Sequence, residues 1–291
     1  MGTNRPVYWN RIGYVAIEDR SGRMIEYGGA NGALDFKFNG EITAEICPTF
    51  NVGILGLSLD TVNQLTAWNP TETYERKRKI EVYAGYEQDG ISNPLFSGYV
   101  IEALPTNPPE MWLNFKCMMN INDSGPIGSS DKDTEERTLE EIWNEIAKAN
   151  KVKSRWESKR VNKDKKVVFS FGGKSPRKLI TEFMDRFNVL CVLIDGVLVC
   201  KDDRPWQDPQ NPVEIINTQT GLLGIAGVSV KGATIKKRLS DTTKCFDCVR
   251  IVSEIMPKAN GSYMILSKRH VGHFRGDDWY TELELIRMET K

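Results

Sequence analysis

Apolar and polar residues alternate along most of this chain, and the period becomes helical only in the middle. LDFKFNG puts Leu34, Phe36 and Phe38 on one side of an extended backbone, with Asp35 and Lys37 on the other. VYWNRIGYVAIED, EITAEICP (with Ile42 and Ile46) and WLNFKCMM read as further strands. KIEVYAGYEQDGISNPLFSGYVIEAL reads as two strands around a Gly, Asn and Pro turn. LSLDTVNQLTAW interrupts them with one short helix, capped by Ser58 and stapled by Leu57 against Val62. Near the end, the run Ser262–Arg269, a polar turn over Gly272–Asp278 and the run Trp279–Arg287 predict an antiparallel pair. The segment Lys79–Leu104 has a similar form, which suggests one shape built twice.

Residues 134–205 follow a different pattern. A helix capped by Thr134 or Thr138 runs to about Asn150, with Leu139, Ile142, Trp143, Ile146 and Ala147 at helical spacing. KVVFSFGG is a strand. SPRKLITEFMDRFN is a second helix, with Ser175 as N-cap, Pro176 in first position and a stripe of Leu179, Ile180, Phe183 and Phe187. VLCVLIDGVLVC is a hairpin turning at Asp195–Gly196. Residues 206–291 return to strands broken by glycines. The expectation is a mainly β protein with an α+β insertion: a first β domain over 1–120, a linker over 121–133, an α+β module over 134–205 and a second β domain over 206–291. A continuous core joining the first and third parts is the alternative.

Composition narrows the function classes. The 291 residues are 40% hydrophobic, enough for two modest domains, and 39 basic side chains balance 39 acidic ones. Nothing global steers such a chain to nucleic acid. No run approaches the roughly eighteen apolar residues of a spanning helix, and MGTNRPVYWNR lacks the apolar core of a secretion signal. The six cysteines do not form a staple framework in a chain of this length, so synthesis in a reducing cytoplasm is expected.

Candidate chemistry is sparse. Cys245-x2-Cys248 and His270-x2-His273 invite a zinc reading, but histidines three apart on a regular strand face opposite sides. Buried cysteines and strand-end histidines are the expectation, with no metal and no cofactor. Cys191 and Cys200 flank the predicted hairpin and read as two small apolar core residues. KANKVKSRWESKRVNKDKK concentrates positive charge around Trp156 and reads as a solvated module face. Glu135, Glu136, Glu140, Glu141 and Glu145 lie near a helix start, where acids suit the dipole, and no pair of catalytic carboxylates stands out. FGGKSP lacks phosphate-loop spacing, and no hydrolase or dinucleotide signature is present.

Three segments carry a resemblance. In RKRKIEVYAGYEQDGISNPLFSGYVIEA, Ile80 and Val82 precede Ala84–Gly85–Tyr86, and Leu95–Phe96–Ser97–Gly98 precedes Tyr99 and Val100. NTQTGLLGIAGVSVKGATIKKRLS supplies a strand and Gly-rich turn, and in NGSYMILSKRHVGHFRGDDWYTELELI His270 precedes a variable turn, Trp279 and Thr281. In this order they resemble the baseplate hub proteins of contractile-tailed bacteriophages, a broad family that includes late-control hub proteins and the hub-like part of secretion-system spikes. SDTTKCFDC at Ser240–Cys248 departs from the proline-containing loop frequent there. The resemblance implies two tube-like β-barrels flanking the module and no enzymatic activity. It further implies a homotrimer forming a pseudo-sixfold ring between the hexameric tail tube protein and the central spike protein. Other baseplate proteins would touch the ring, ejecting DNA would pass through it transiently, and its place would be the virion tail baseplate. Gly85, Tyr86, Phe96, Gly98, Tyr99, Trp279 and Leu283 are the structural or interface candidates, with Gly85 and Gly98 allowing tight corners or close backbone approach. The rival classes are a peripheral tail adaptor, a peptidoglycan hydrolase, and a carbohydrate-binding tail module using Trp112, Trp206 or Trp279 as an exposed platform.

Overall fold

The computed structural model of the chain describes residues 10–28, 34–43, 49–66, 78–119, 126–128, 131–194, 197–202, 212–230 and 232–288. Ile46, Trp206, most of the expected linker and the Asp195–Gly196 turn lie outside them. The first part holds β1 (Arg11–Glu18), β2 (Met24–Gly28), β3 (Asp35–Thr43), β4 (Thr49–Leu55), α1 (Leu59–Thr66), β5 (Lys79–Tyr86), β6 (Phe96–Pro105) and β7 (Trp112–Met118). The middle holds β8 (Glu136–Thr138), α2 (Leu139–Ala149), β9 (Lys153–Trp156), β10 (Lys166–Val168), α3 (Pro176–Phe187), β11 (Val189–Ile194) and β12 (Val197–Asp202). The last part holds β13 (Glu214–Ile216), β14 (Leu222–Val228), β15 (Gly232–Arg238), β16 (Cys248–Ile251), β17 (Gly261–His273) and β18 (Trp279–Arg287). The chain is mainly β with a small α+β insertion.

Local signals place the helices. The Ser58 hydroxyl accepts the Thr61 N–H at 3.2 Å at the start of α1, and Leu57 and Val62 pack on one core. Thr138, not Thr134, caps α2, through a reciprocal capping box with Glu141. Ser175 caps α3 with Pro176 behind it, and Asn188 ends it in the left-handed conformation. Leu179, Ile180 and Phe183 of α3 meet Ile142, Trp143 and Ile146 of α2 in a core of their own, covered by β11, β12 and β9.

The two β parts share one sheet. Its strands run β14–β15–β18–β17–β3–β4–β7–β6–β5–β1–β2, with β16 and β13 branching from β17. The join is β17 against β3, from Ser267 opposite Thr43 to His273 opposite Lys37. The first core is aromatic (Phe36, Phe38, Phe50, Phe96 and Phe115), and it takes in Leu239 and Trp279 from the last part. The second is largely aliphatic: Ile216, Ile235, Val249, Ile251, Ile265, Leu283 and Leu285 with Tyr263. The first and third parts are therefore joined through one sheet while keeping two separate hydrophobic cores.

Within that sheet one arrangement occurs twice. The meander β3–β4–β7–β6 repeats as β14–β15–β18–β17. A row across the first, Gly40–Phe50–Cys117–Val100, corresponds to Val228–Ala233–Leu285–Ile265 across the second. The start of β6 also pairs with β5 (Phe96 opposite Val82), as the start of β17 pairs with β16 (Gly261 opposite Ile251). Each strand then carries a bulge at the same step, Val100/Glu102 in β6 and Ile265/Ser267 in β17. The terminal pair thus corresponds to β6–β7, one strand on from the Lys79–Leu104 segment that its sequence pattern resembles.

Candidate functional site

The residues that tie the two β units together come from β5, β18 and the first residue of β1, Arg11. The Trp279 indole N–H donates to the Gly85 carbonyl at 3.2 Å, and the Tyr86 hydroxyl donates back to the Trp279 carbonyl at 3.3 Å. Phe36, Phe38 and Phe274 present edges to the indole, and the Arg11 guanidinium lies 5.5 Å from its centre. Arg11 also donates to the carbonyls of His273, Gly276 and Asp277, holding the β17–β18 turn in place. Burial raises the Tyr86 pKa, which keeps the phenol in its donating form.

The remaining candidates divide between the cores. Phe96 is buried and stacks on Phe50 at 4.5 Å. A Cβ on Gly98 would sit 2.5 Å from the Met118 carbonyl oxygen and the Phe96 ring, so the close approach expected there is real. Gly85 differs: a Cβ would meet nothing nearer than 3.7 Å. The corner does not need glycine, and Gly85 contributes its carbonyl instead. Tyr99 is half-buried and lines a cleft of about 780 Å³ with Lys79, Asp241 and Lys268. Leu283 is buried in the second core, away from Phe96.

Sequence reasoning missed a buried polar network beside this junction. Lys268, 2% exposed, pairs with Asp241 and donates to the Thr243 carbonyl at 3.1 Å. Asp241 also takes Lys244 at 3.1 Å. Lys237, 1% exposed, pairs with Glu214, and burial lowers its pKa while Glu214 opposes that shift. Fully buried His270 sets Nδ1 3.0 Å from the Thr281 hydroxyl, and its Nε2 has no hydrogen-bond partner among the described residues. A neutral ring with its proton on Nδ1 satisfies this geometry, because a bare Nε2 lone pair needs no acceptor. Burial, then Lys268, Lys237 and Lys244, hold the His270 pKa well below its usual value. The loop that carries Asp241, Thr243 and Lys244 is the SDTTKCFDC segment that departs from the family pattern. One signal was available: Ala233, Ile235 and Lys237 share a period of two, which puts Lys237 on the inward face.

Other candidate chemistry is accounted for by structure. His270 and His273 both lie on β17 and face opposite ways; His273 bonds Asp35 at 2.8 Å. The Cys245 thiol donates to the Ile42 carbonyl at 3.2 Å, and burial raises its pKa to about 11. Among the described residues no group of three or more Cys, His, Asp or Glu side chains is placed to hold a metal ion. Cys191 and Cys200 stand directly opposite each other as buried thiols. Glu141 serves the capping box, Glu140 pairs with Lys163 and Glu145 with Arg137. In the basic stretch Arg155 pairs with Glu157, and Trp156 packs its edge on Phe183 in the module core. Trp112, 9% exposed under the Lys37 ammonium, and Trp279, 3% exposed, offer no open platform for a sugar. No helix among the described residues is long and apolar enough to cross a membrane.

Comparison with known proteins follows the same line. The sequence model of a family described as baseplate hub gp41 matches residues 33–285. Among solved structures, a 43 kDa tail protein of prophage MuSo2 from Shewanella oneidensis is 12% identical, with a TM-score of 0.62 over 94% of this chain and 96% of that one. A tail protein from Neisseria meningitidis MC58 is 10% identical, with a TM-score of 0.63 over 96% and 97%. An E. coli component of the type VI secretion system, described as structurally similar to the T4 tail proteins gp27 and gp5, is 10% identical, with a TM-score of 0.56 over 88% and 74%. At these identities the likeness is one of fold. Among curated protein sequences none matches significantly.

Proposed function

This chain belongs to the baseplate hub gp41 family, and on that basis we propose that it forms a homotrimeric, pseudo-sixfold ring at the centre of a phage tail baseplate. Its role in the tail is structural. The ring joins the hexameric tail tube to the threefold central spike, touches other baseplate proteins and surrounds part of the channel that ejecting DNA crosses. Residues 1–120 and 206–291 supply the two tube-like barrels, 134–205 the inserted module and 121–133 the link between. The chain is made in the host cytoplasm and acts in the virion, without catalysis.

The repeated meander carries this reading. One chain presents the same strand arrangement twice, side by side in one sheet, so a trimer offers near-equivalent units around a sixfold tube. The lock of Trp279 with Gly85 and Tyr86 supports it by fixing the angle between the two units. Light scattering on the full chain, alone and then with tube and spike proteins, tests the ring. The expected mass is that of a trimer, intrinsic or induced. A chain that stays monomeric with both partners would instead be a peripheral adaptor.

A further inference from the structure

Two thiols face each other inside the α+β module. β11 and β12 pair antiparallel, with Cys191 directly opposite Cys200. The other described cysteines have no such partner. Cys117 stands opposite Phe50 and Val100, Cys248 opposite Met264, and the Cys245 thiol donates to a carbonyl. The Glu157 N–H donates to the Cys200 carbonyl at 2.8 Å, so the peptide groups of Cys200 point towards β9 and away from β11. Cys191 and Cys200 are therefore a non-hydrogen-bonded pair, which brings Cα atoms to about 4.5 Å and side chains closest. That separation lies within the roughly 4.4–6.8 Å that a disulfide spans. Both side chains are fully buried on the core face of the hairpin, in one cluster with Val189, Leu198 and Phe183. The two thiols hydrogen-bond each other.

We propose that Cys191 and Cys200 form a disulfide site: a thiol pair in the reducing cytoplasm that closes into one covalent bond on meeting a small-molecule disulfide. The timing rests on the virion reading of this chain, whereas the site rests on the hairpin alone. With oxidised glutathione, one cysteine thiolate attacks a glutathione sulfur, breaks that S–S bond and releases the first glutathione. The second thiolate then attacks the cysteine sulfur of the mixed disulfide, forms the Cys191–Cys200 bond and releases the second glutathione. Two electrons pass from the cysteines to glutathione, and the two leaving thiolates take up the two protons. Burial, then the Cys200 thiol beside it, raise the Cys191 pKa well above its usual value, so the closed core holds thiols and exchange requires the hairpin to open. Among the described residues β11 is an edge strand of the sheet β11–β12–β9, which gives that opening a side to start from. Once formed, the bond is shielded from reductant by the same burial. It staples the hairpin against which α3 packs.

Oxidised glutathione added to the purified full chain tests the site, followed by alkylation in denaturant and peptide mapping. A second sample, refolded from urea in a glutathione redox buffer, removes any barrier of access. Cys191 and Cys200 should escape alkylation and appear in one linked peptide pair, two hydrogen atoms lighter than the reduced pair. The oxidised chain should unfold at a higher urea concentration than the reduced chain. Cys191→Ala should abolish both the link and that difference between oxidised and reduced samples. Full alkylation of both cysteines in both samples, or glutathione left attached to either one, overturns the site. Light scattering reads the ring separately: a linked chain that stays monomeric with tube and spike partners overturns the ring and leaves the site standing.

Discussion

In the first β unit the neighbouring positions Ile54, Leu113 and Pro105 are apolar; in the second the corresponding positions hold Lys237, Thr281 and His270. Ala103 opposite Phe115 likewise becomes Lys268 opposite Leu283. The first unit is held by aromatic burial, worth about 1.5–3 kcal/mol for each large side chain. The second buries two ammonium groups where the first has Ile54 and Ala103, and a fully buried imidazole where the first has exposed Pro105; paired charges there add little net stability but leave a large penalty when one partner is lost. The pairs fix the loop 239–247 against the junction, a task that apolar side chains of free rotation do less specifically. The units also place an aromatic differently on the same strand face: Phe96 and Gly98 in β6 correspond to Gly261 and Tyr263 in β17.

The largest effect should come from the residue that both units share. Trp279→Ala removes a buried indole from the first core and its N–H bond to the Gly85 carbonyl, while the backbone carbonyl that takes the Tyr86 hydroxyl stays, and should cost about 3–5 kcal/mol in chemical denaturation. Trp279→Phe keeps an aromatic ring but loses the N–H donor and part of the buried volume, and should cost less than the alanine change, about 1–3 kcal/mol. Equal midpoints for the alanine variant and the parent would mean that Trp279 does not tie the units. The next effect tests the contrast directly. Lys268→Ala gives the second unit the residue of the first and strands Asp241 with Lys244, at a cost of about 3–5 kcal/mol. Lys268→Met with Asp241→Leu should be less damaging than Lys268→Ala alone; if the double change is worse, the network stabilises rather than specifies.

Gly98 and Gly85 separate two uses of glycine. Gly98→Ala drives a methyl against the Met118 carbonyl and should cost about 1–3 kcal/mol. Gly85→Ala keeps the carbonyl that Trp279 uses, and should stay within about 0.5 kcal/mol of the parent. Thermal unfolding of the two variants side by side decides it, and equal costs would refute the distinction.

Much of the fold was open to a reading of local pattern. The alternation in LDFKFNG marks β3, and Ser58, Ser175 and Pro176 mark helix starts, because caps and periods act over a few residues. The junction was not readable. β3 meets β17 across most of the chain, and such pairing leaves no local trace. The bulge at Ile265/Ser267 added a second obstacle. Tyr263 and Ile265 face inward, and strict alternation would continue with Ser267, Arg269 and Val271; the extra residue turns Lys268, His270 and Gly272 inward instead. The polar network was hidden by that shift of phase. Of the interface candidates, Gly85, Tyr86 and Trp279 meet at the junction, a contact that no local pattern announces, whereas Leu283 lies in the other core.

The effect confined to acid pH concerns the one imidazole inside the second unit. His270 is surrounded by Lys268 on its own strand, Lys237 on β15, Lys244 and Asp241 on the loop 239–247, and Thr281 on β18, with Asp241 3.9 Å from Nε2. Burial and three ammonium groups outweigh that single carboxylate, so the folded chain holds the ring neutral well below its ordinary pKa. The unfolded chain binds the proton near pH 6.5. Between that value and the lower folded pKa the unfolded state carries more protons, so stability falls as pH falls, by up to about 1.4 kcal/mol per pH unit. Above pH 6.5 the group contributes no slope. His270→Gln, which keeps a side chain able to bond Thr281, should flatten the loss between pH 6.5 and pH 5 by up to one proton. Denaturation curves for parent and variant at pH 7.5, 6 and 5 measure it. The first unit has proline at this position, so a slope that persists unchanged in the variant would place the acid sensitivity outside the network and remove this difference between the units.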